Sequence, residues 1–301
     1  MRPEGEARYP GLLACVCLLV ADKVLKDLSF YPFMVISEGE EDLAWCLICL
    51  VVGLFLAWSW QVARGNAPFI RFFALERIPS SAVLTLFALW LGLQMFEKLA
   101  VWGIWTSASF IGIEYEMFED DRVRPPTGWA DVFGSCIVAP VTEELLFRGL
   151  LLRGLVRQFK SEIAILLSAG IFGVWHGNLP QIAGASVGGI VLGWLFLRTR
   201  SLWAPIIFHA CHNATWVFLS SPLMHRSGKN LPTTMAIVLL LTVLAVSVLL
   251  LRFAWPRFNA HFPHAWDAFD APPNPAPDPL REFRARRRRR RSPPRDEQGS
   301  G

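Results

Sequence analysis

The sequence predicts an all-α polytopic membrane protein in which about eight transmembrane helices surround a buried polar chamber. Apolar residues make up 53% of the 301 residues and charged residues 18%, whereas soluble domains average about 45–50% and about 25%. The chain also has 13 tryptophans and 22 phenylalanines, and aromatic side chains are enriched where a protein meets the membrane surface. This composition argues against a soluble globular protein.

A helix needs about 20 mostly apolar residues to cross a bilayer, and eight segments of the chain meet or approach that length. In order, they are 10–31, 43–62, 81–105, 129–152, 161–178, 181–198, 202–220 and 233–252. The second, third and eighth are the cleanest apolar runs. The fifth and sixth are short, and only Leu179-Pro180 separates them. The transmembrane helical domain is therefore predicted to occupy residues 1–256.

Loop charges predict that both termini lie in the cytoplasm, because Lys and Arg accumulate on that side of a membrane. With the N-terminus inside, most basic residues fall in inside loops, and the acidic stretches 38–42 and 114–121 fall outside. Residues 257–301 are predicted to be a disordered Pro- and Arg-rich cytoplasmic tail. Its arginine run, Arg286–Arg291, is expected to contact anionic lipids rather than nucleic acid, because no folded recognition module accompanies it.

Four charged residues interrupt the first apolar segment. Asp22 and Lys26 are four residues apart, as are Lys23 and Asp27, so each pair can neutralise itself on one helix. A self-paired patch that faces the bundle is the favoured interpretation, ahead of a transport site. The sequence leaves open whether this patch joins the polar chamber.

Two adjacent carboxylates, Glu143 and Glu144, lie in the fourth segment. Glu144 and Arg148 are four residues apart and can form an ion pair, whereas Glu143 points about 100° away on the same helix. Ionisable residues inside membrane spans are rare and usually functional. Glu143 is therefore predicted to be a general base. The alternative is that it only forms a hydrogen bond with a neighbouring helix.

Two further motifs lie in the fifth and seventh segments. Phe172 and His176 share one helix face, and so do His209 and Asn213. His209 and Asn213 could together stabilise an oxyanion, or they could form the kind of interhelical hydrogen bonds that membrane helices commonly use. Counted from the predicted cytoplasmic ends, all three motifs lie near the middle of the membrane. The sequence therefore predicts that they line one chamber.

These motifs together resemble one protein family. Glu143-Glu144-x-x-x-Arg148, Phe172-x-x-x-His176 and His209-x-x-x-Asn213 appear in the order typical of the CPBP family. That family contains CAAX prenyl proteases and bacteriocin-processing proteins, and is also called the Abi family. The resemblance covers about residues 129–220.

The resemblance implies an intramembrane endopeptidase of the glutamic type. By carry-over, Glu143 is the base that activates water, His176 helps to orient that water, and His209 and Asn213 stabilise the oxyanion. Glu144 and Arg148 are implied to hold the site together or to steer the substrate, with Phe172 as a supporting residue. Cleavage is implied near the C-terminus of a membrane-anchored protein or peptide, either a CAAX-type protein or a bacterial protein with a C-terminal sorting tail.

The sequence leaves a metal cofactor and two non-protease functions open. No cofactor is favoured, but Glu143, His176 and His209 could supply a zinc ligand set, although the H-E-x-x-H signature is absent. A non-catalytic immunity or scaffold protein is a second alternative, and a transporter ranks third. The compact chain and the arginine-rich tail favour a bacterial inner membrane.

Overall fold

The computed structural model describes residues 9–36, 41–64, 68–110, 128–177, 179–220 and 233–263. Within these ranges the regular secondary structure is entirely helical, so the predicted all-α fold is confirmed. The acidic stretch 114–121, residues 38–40 of the other acidic stretch, and the predicted tail from residue 264 onward lie outside the described residues. Arg286–Arg291 falls in that tail.

Each of the eight predicted apolar segments is helical over most of its length, and the short helix Phe69–Phe72 lies apart from all of them. They are α1 (Leu12–Ile36), α2 (Glu41–Arg64), α3 (Phe69–Phe72), α4 (Val83–Phe110), α5 (Trp129–Phe133), α6 (Ala139–Glu144), α7 (Arg153–Leu155), α8 (Ser161–Trp175), α9 (Leu179–Thr199), α10 (Trp203–Thr215) and α11 (Thr233–His261). A 3₁₀ turn, Ser80–Ala82, precedes α4. Stretches of π-helix join α5 to α6 (Gly134–Val138), join α6 to α7 (Leu145–Leu152) and follow α10 (Trp216–Ser220). We call the continuous helical stretch 129–155 the site helix.

Several helices have the character of membrane spans. In the described part of the chain, three stretches are long and apolar enough to cross a membrane: Leu43–Ala63, Gln181–Thr199 and Leu241–His261. Two shorter apolar stretches are Ser80–Gln94 and Ser161–Trp175. Large apolar side chains such as Phe55 and Leu249 are exposed on the outer faces, as in a protein surrounded by lipid. The chain is a membrane protein, and its eight spans stay a prediction.

Close helix contacts surround the predicted chamber. A Cβ atom on Gly173 of α8 would lie 2.0 Å from the Ser186 hydroxyl and 2.7 Å from the Ile182 carbonyl oxygen, both on α9. A Cβ atom on Gly53 of α2 would lie 2.7 Å from Thr142 of the site helix. Glycine at these positions lets helix backbones approach closely, as is common in membrane proteins. These contacts bring α2, α8 and α9 close to the residues that carry the polar motifs.

The end of α8 differs from the predicted segment 161–178. The α-helix ends at Trp175, and His176 follows it as the first residue of a turn. Gly177 has a φ of +74°, a left-handed conformation that commonly ends helices and that glycine adopts without strain. His176 therefore lies at the end of the helix rather than within it.

The last helix is longer than the apolar segment 233–252, since α11 continues to His261 and into the range predicted for the tail. Aromatic packing explains the extension, because the fully buried Phe258 ring lies 5.2 Å from the ring of Trp194 on α9. Arg198 also donates hydrogen bonds to Asn259 Oδ1, at 2.5 Å, and to the Phe262 carbonyl oxygen, at 3.0 Å. These contacts fix the end of α11 against α9.

Candidate active site

A buried ion pair lies at the centre of the candidate site. Arg148 Nη1 donates a hydrogen bond of 2.8 Å to Glu144 Oε1, and both side chains are fully buried. Arg148 Nη2 donates to the Gly189 carbonyl oxygen of α9 at 3.3 Å. The guanidinium also lies 4.5 Å from the centre of the Phe172 ring. The predicted Glu144–Arg148 pair is therefore present, and it connects the site helix to α8 and α9.

His209 of α10 completes this network. Its Nδ1 atom lies 2.9 Å from Glu144 Oε1, which also accepts the bond from Arg148. A carboxylate can only accept hydrogen bonds, so Nδ1 carries a proton and the ring's other nitrogen, Nε2, faces away from Glu144. In neutral His209 that Nε2 is an acceptor. It becomes a donor only when the imidazole is protonated.

Glu143 has a different environment from its neighbour. About 20% of its side chain is exposed, and its Oε2 atom lies 3.9 Å from His209 Nε2. That distance is too long for a direct hydrogen bond, but one water oxygen lying to the side of the two atoms can reach both at hydrogen-bond length. Among the described residues, no hydrogen bond reaches the Glu143 carboxylate. It is thus free to bind a water molecule or a substrate group.

His176 and Phe172 lie beside this group without touching Glu143. His176 Nδ1 lies 2.8 Å from the Phe172 carbonyl oxygen, so Nδ1 carries the proton and Nε2 can accept a hydrogen bond. The Phe172 ring is buried and meets both imidazoles edge to face, with ring centres 4.9 Å from His176 and 5.8 Å from His209. Within the described chain, no hydrogen bond joins His176 to Glu143. Phe172 thus packs against both imidazoles.

Asn213 contacts the site helix near its N-terminal end, before Glu143 in the chain. Its side-chain Nδ2 donates a hydrogen bond of 2.7 Å to the carbonyl oxygen of Ser135, in the π-helical stretch Gly134–Val138. The structure describes no hydrogen bond between Asn213 and either Glu143 or His209. One amide N–H of Asn213 therefore ties α10 to the site helix, and the second N–H stays available for another acceptor.

The zinc alternative requires three ligands at one point. In the described residues, no group of three or more His, Cys, Asp or Glu side chains is arranged to hold a metal ion. Glu143, His176 and His209 therefore do not form such a set. Nδ1 of His209 is held by Glu144 and Nδ1 of His176 by a backbone carbonyl, so Nε2 is the nitrogen of each ring that can bind another group.

The structure adds residues of α1 that sequence reasoning did not assign to the site. Lys26 Nζ lies 2.7 Å from Asp22 Oδ2, and Asp22 is fully buried. Lys26 Nζ also lies 5.9 Å from the centre of the Trp175 ring, and Trp175 directly precedes His176. The second pair on this helix, Lys23 and Asp27, is 3.7 Å apart and more than half exposed. The two pairs have the same spacing, so only the packing of α1 distinguishes them.

Sequence reasoning also did not assign Ser135 to the site, and it did not predict that Glu97 pairs with His212. Ser135 contributes through its backbone carbonyl, which no side-chain pattern reveals. His212 Nδ1 lies 3.4 Å from the buried carboxylate of Glu97 on α4, so the second histidine of α10 faces a different helix from His209. The sequence signal for that difference was the helical offset between His209 and His212.

Comparison with known proteins agrees with the motif pattern. Residues 125–215 match the family model described as "Type II CAAX prenyl endopeptidase Rce1-like". The predicted family resemblance is confirmed. The matched segment contains the whole site helix, α8, α9 and α10, and hence all seven residues named by the motifs.

Two curated relatives support the same resemblance. "Putative membrane peptidase YdiL" of Bacillus subtilis (strain 168) is 28% identical over 105 residues, which cover 35% of this chain and 43% of that protein. "CAAX prenyl protease 2" of Arabidopsis thaliana is 30% identical over 121 residues, which cover 33% of this chain and 38% of that protein. The matches thus span less than half of each relative. No solved structure matches the chain significantly.

Proposed function

We propose that the chain is an intramembrane endopeptidase that hydrolyses a peptide bond near the C-terminus of a membrane-anchored protein or peptide. The observation that carries the proposal is the contrast between the two adjacent carboxylates. Glu144 is fully buried and bound by Arg148 and His209, whereas Glu143 is partly exposed and has no hydrogen bond within the described residues. A network that fixes one carboxylate and leaves its neighbour open suits a general base.

In the proposed first step, Glu143 takes a proton from a water molecule while the water oxygen attacks the scissile carbonyl carbon. The water or the substrate oxygen is expected to bind beside Glu143 Oε2 and His209 Nε2, which lie 3.9 Å apart. His176 Nε2 is an acceptor, so it can orient the second hydrogen of the water. General-base catalysis of this kind contributes roughly 10²–10⁴-fold.

The attack turns the carbonyl oxygen into an oxyanion that needs hydrogen-bond donors. Protonated His209 offers Nε2–H, and Asn213 offers its second amide N–H. When the tetrahedral intermediate collapses, the C–N bond breaks and the proton held by Glu143 passes to the leaving amine. The products are a carboxylate and an amine, and no covalent enzyme intermediate is needed.

The substrate class rests on the family resemblance and on the membrane character of the chain. A CAAX-type protein and a bacterial protein with a C-terminal sorting tail both present a cleavage site near a membrane anchor. We also propose a bacterial inner membrane as the location, with both termini cytoplasmic. The arginine run Arg286–Arg291 is expected to contact anionic lipids there.

The test is cleavage by the purified full-length protein in detergent. The substrates are a panel of reporter peptides anchored near the C-terminus, some prenylated on a CAAX cysteine and some carrying an apolar sorting tail. Mass spectrometry of the products gives the bond that is cut. Cleavage near the C-terminus by the wild type, lost in Glu143→Gln, is the expected result. If the wild type cuts no reporter, or if Glu143→Gln cuts as fast as the wild type, the proposed function is wrong.

A further inference from the structure

The Lys26–Asp22 pair lies outside the segment matched by the family model, yet it is mostly buried beside the end of α8, where His176 lies. Lys26 is only 13% exposed and Asp22 is fully buried, although both lie on a helix that also carries exposed charges. The Lys26 ammonium lies 5.9 Å from the centre of the Trp175 ring, and Trp175 directly precedes His176. Lys26 is thus held between Asp22 on its own helix and an aromatic ring at the end of α8.

The packing of α1 explains why Asp22 and Lys26 are mostly buried whereas Lys23 and Asp27 are exposed. Leu18 and Leu25 on α1 pack into the apolar cluster that contains Val141 and Phe147 of the site helix and Trp175 of α8. Lys26 follows Leu25, and Asp22 lies one helical turn before Lys26, so both are near this buried face. Lys23 and Asp27 lie on the exposed side of the same helix.

The proposed base needs a positive charge close to it, because an ionised carboxylate inside a membrane is costly without one. Arg148 is the nearest candidate in sequence, but its hydrogen bonds go to Glu144 and Gly189. His209 directs Nδ1 to Glu144 and is needed as a donor to the oxyanion. Lys26 is a further cation that is mostly buried and lies against the residue that precedes His176, and it has no other role in the proposed mechanism.

We propose that Lys26, held in place by Asp22, is a positioning residue that stabilises the ionised Glu143 carboxylate and keeps it directed at the attacking water. The inference rests on the proposed endopeptidase function and deepens it by adding α1 to the catalytic apparatus. Lys26 does not touch the substrate in this account. Its loss should therefore lower kcat while leaving KM nearly unchanged.

The decisive variant removes both charges of the pair. Lys26→Met alone leaves Asp22 buried without its cation, which can unfold the protein for reasons unrelated to catalysis. Asp22→Asn/Lys26→Met avoids that, and its kcat is expected to fall roughly ten- to a hundredfold, with KM within about twofold of the wild type. Lys26→Arg keeps the positive charge and is expected to retain most of the activity.

The same helix offers a matched control. Lys23→Met/Asp27→Asn removes an ion pair of the same spacing from the exposed side of α1, and its kcat is expected to equal that of the wild type. A second variant, Asp22→Lys/Lys26→Asp, keeps the ion pair but moves the cation by about one helical turn, roughly 5–6 Å. The kcat of this variant is expected to fall as well. If Asp22→Asn/Lys26→Met does not fold, this second variant tests the role of Lys26 in its place.

Three results separate the possible failures. Equal kcat for Asp22→Asn/Lys26→Met and Lys23→Met/Asp27→Asn, with Glu143→Gln inactive, overturns the role of Lys26 and leaves the proposed function intact. Loss of kcat in Lys26→Arg as severe as in the neutral variant also overturns it, because the charge alone would then not suffice. Glu143→Gln as active as the wild type overturns the proposed function, and this inference with it.

Discussion

Glu144 Oε1 lies 2.9 Å from His209 Nδ1 in the buried interior, and the same oxygen accepts a hydrogen bond from Arg148. One carboxylate oxygen thus fixes both the tautomer of the histidine and the position of the arginine. Because Glu144 is fully buried in this network, Glu143 is the one of the two adjacent glutamates that is partly exposed. Substitution of Glu144 or His209 should therefore disturb the whole network.

Glu144→Gln is expected to destabilise the protein by about 3–5 kcal/mol, because Arg148 then stays buried without a negative partner. Thermal unfolding in detergent measures this loss. Glu144→Gln/Arg148→Met removes both charges and should recover much of the stability. It should remain inactive, since His209 has lost the carboxylate that orients it. Full activity in the double variant would show that the network is not needed for catalysis.

His209→Gln is expected to lower kcat by roughly 10²–10³-fold, which is the usual cost of removing one oxyanion donor. The matched control is His212→Gln, on the same helix, because His212 pairs with Glu97 instead of Glu143 or Glu144. Steady-state kinetics on one cleaved reporter compare the two variants. Equal losses would contradict the assignment of His209 to the oxyanion.

Asn213→Asp is expected to be more harmful than Asn213→Ala. A carboxylate can donate neither to the Ser135 carbonyl nor to an oxyanion, and it repels the latter. Thr215→Val is the control, because within the described residues the Thr215 hydroxyl donates to the Cys211 carbonyl of its own helix and to no other group. Rates and thermal unfolding of all three variants are measured together. An Asn213→Asp variant that cleaves at the wild-type rate would eliminate Asn213 as a donor.

The parts of the site that could be predicted from sequence are those fixed within one helix. The Glu144–Arg148 pair and the shared face of His209 and Asn213 follow from helical spacing alone. The bond between Asn213 and the Ser135 carbonyl does not, because a backbone acceptor has no sequence signature. Nor could spacing tell which of two equally spaced pairs on α1 faces the interior.

The fold shows the same division. Apolar length predicted where the helices lie, and Gly177 ends α8 before the apolar run does. The continuation of α11 to His261 depends on contacts with Arg198 and Trp194, which are distant in sequence. The π-helical stretches of the site helix likewise depend on packing against other helices, and no local sequence pattern predicted them.

Gly173→Ala is expected to destabilise the protein by about 1–3 kcal/mol, because the new methyl group would overlap Ser186 and the Ile182 carbonyl. Cleavage should fall too, since Phe172 and His176 lie next to the disturbed contact. Gly170→Ala is the control on the same helix, where an added Cβ meets nothing within 4 Å. Thermal unfolding compares the two. A Gly173→Ala variant as stable as Gly170→Ala would contradict the close packing of α8 on α9.

Removal of metal ions is expected to leave cleavage unchanged, because the mechanism proposed here uses only protein groups. The measurement is the cleavage rate after treatment with a chelator, with and without zinc added back. A rate that falls with chelator and returns with zinc would assign the site to a metalloprotease instead.

The most direct test of the account compares Glu143→Gln with Glu162→Gln. Glu162 is an exposed glutamate in the first turn of α8, so its replacement controls for loss of a carboxylate elsewhere in the protein. With one cleaved reporter and equal thermal stability, kcat/KM is expected to fall by roughly 10²–10⁴-fold in Glu143→Gln and to stay at the wild-type value in Glu162→Gln. Equal kcat/KM values for the two variants would contradict the central claim that Glu143 is the general base.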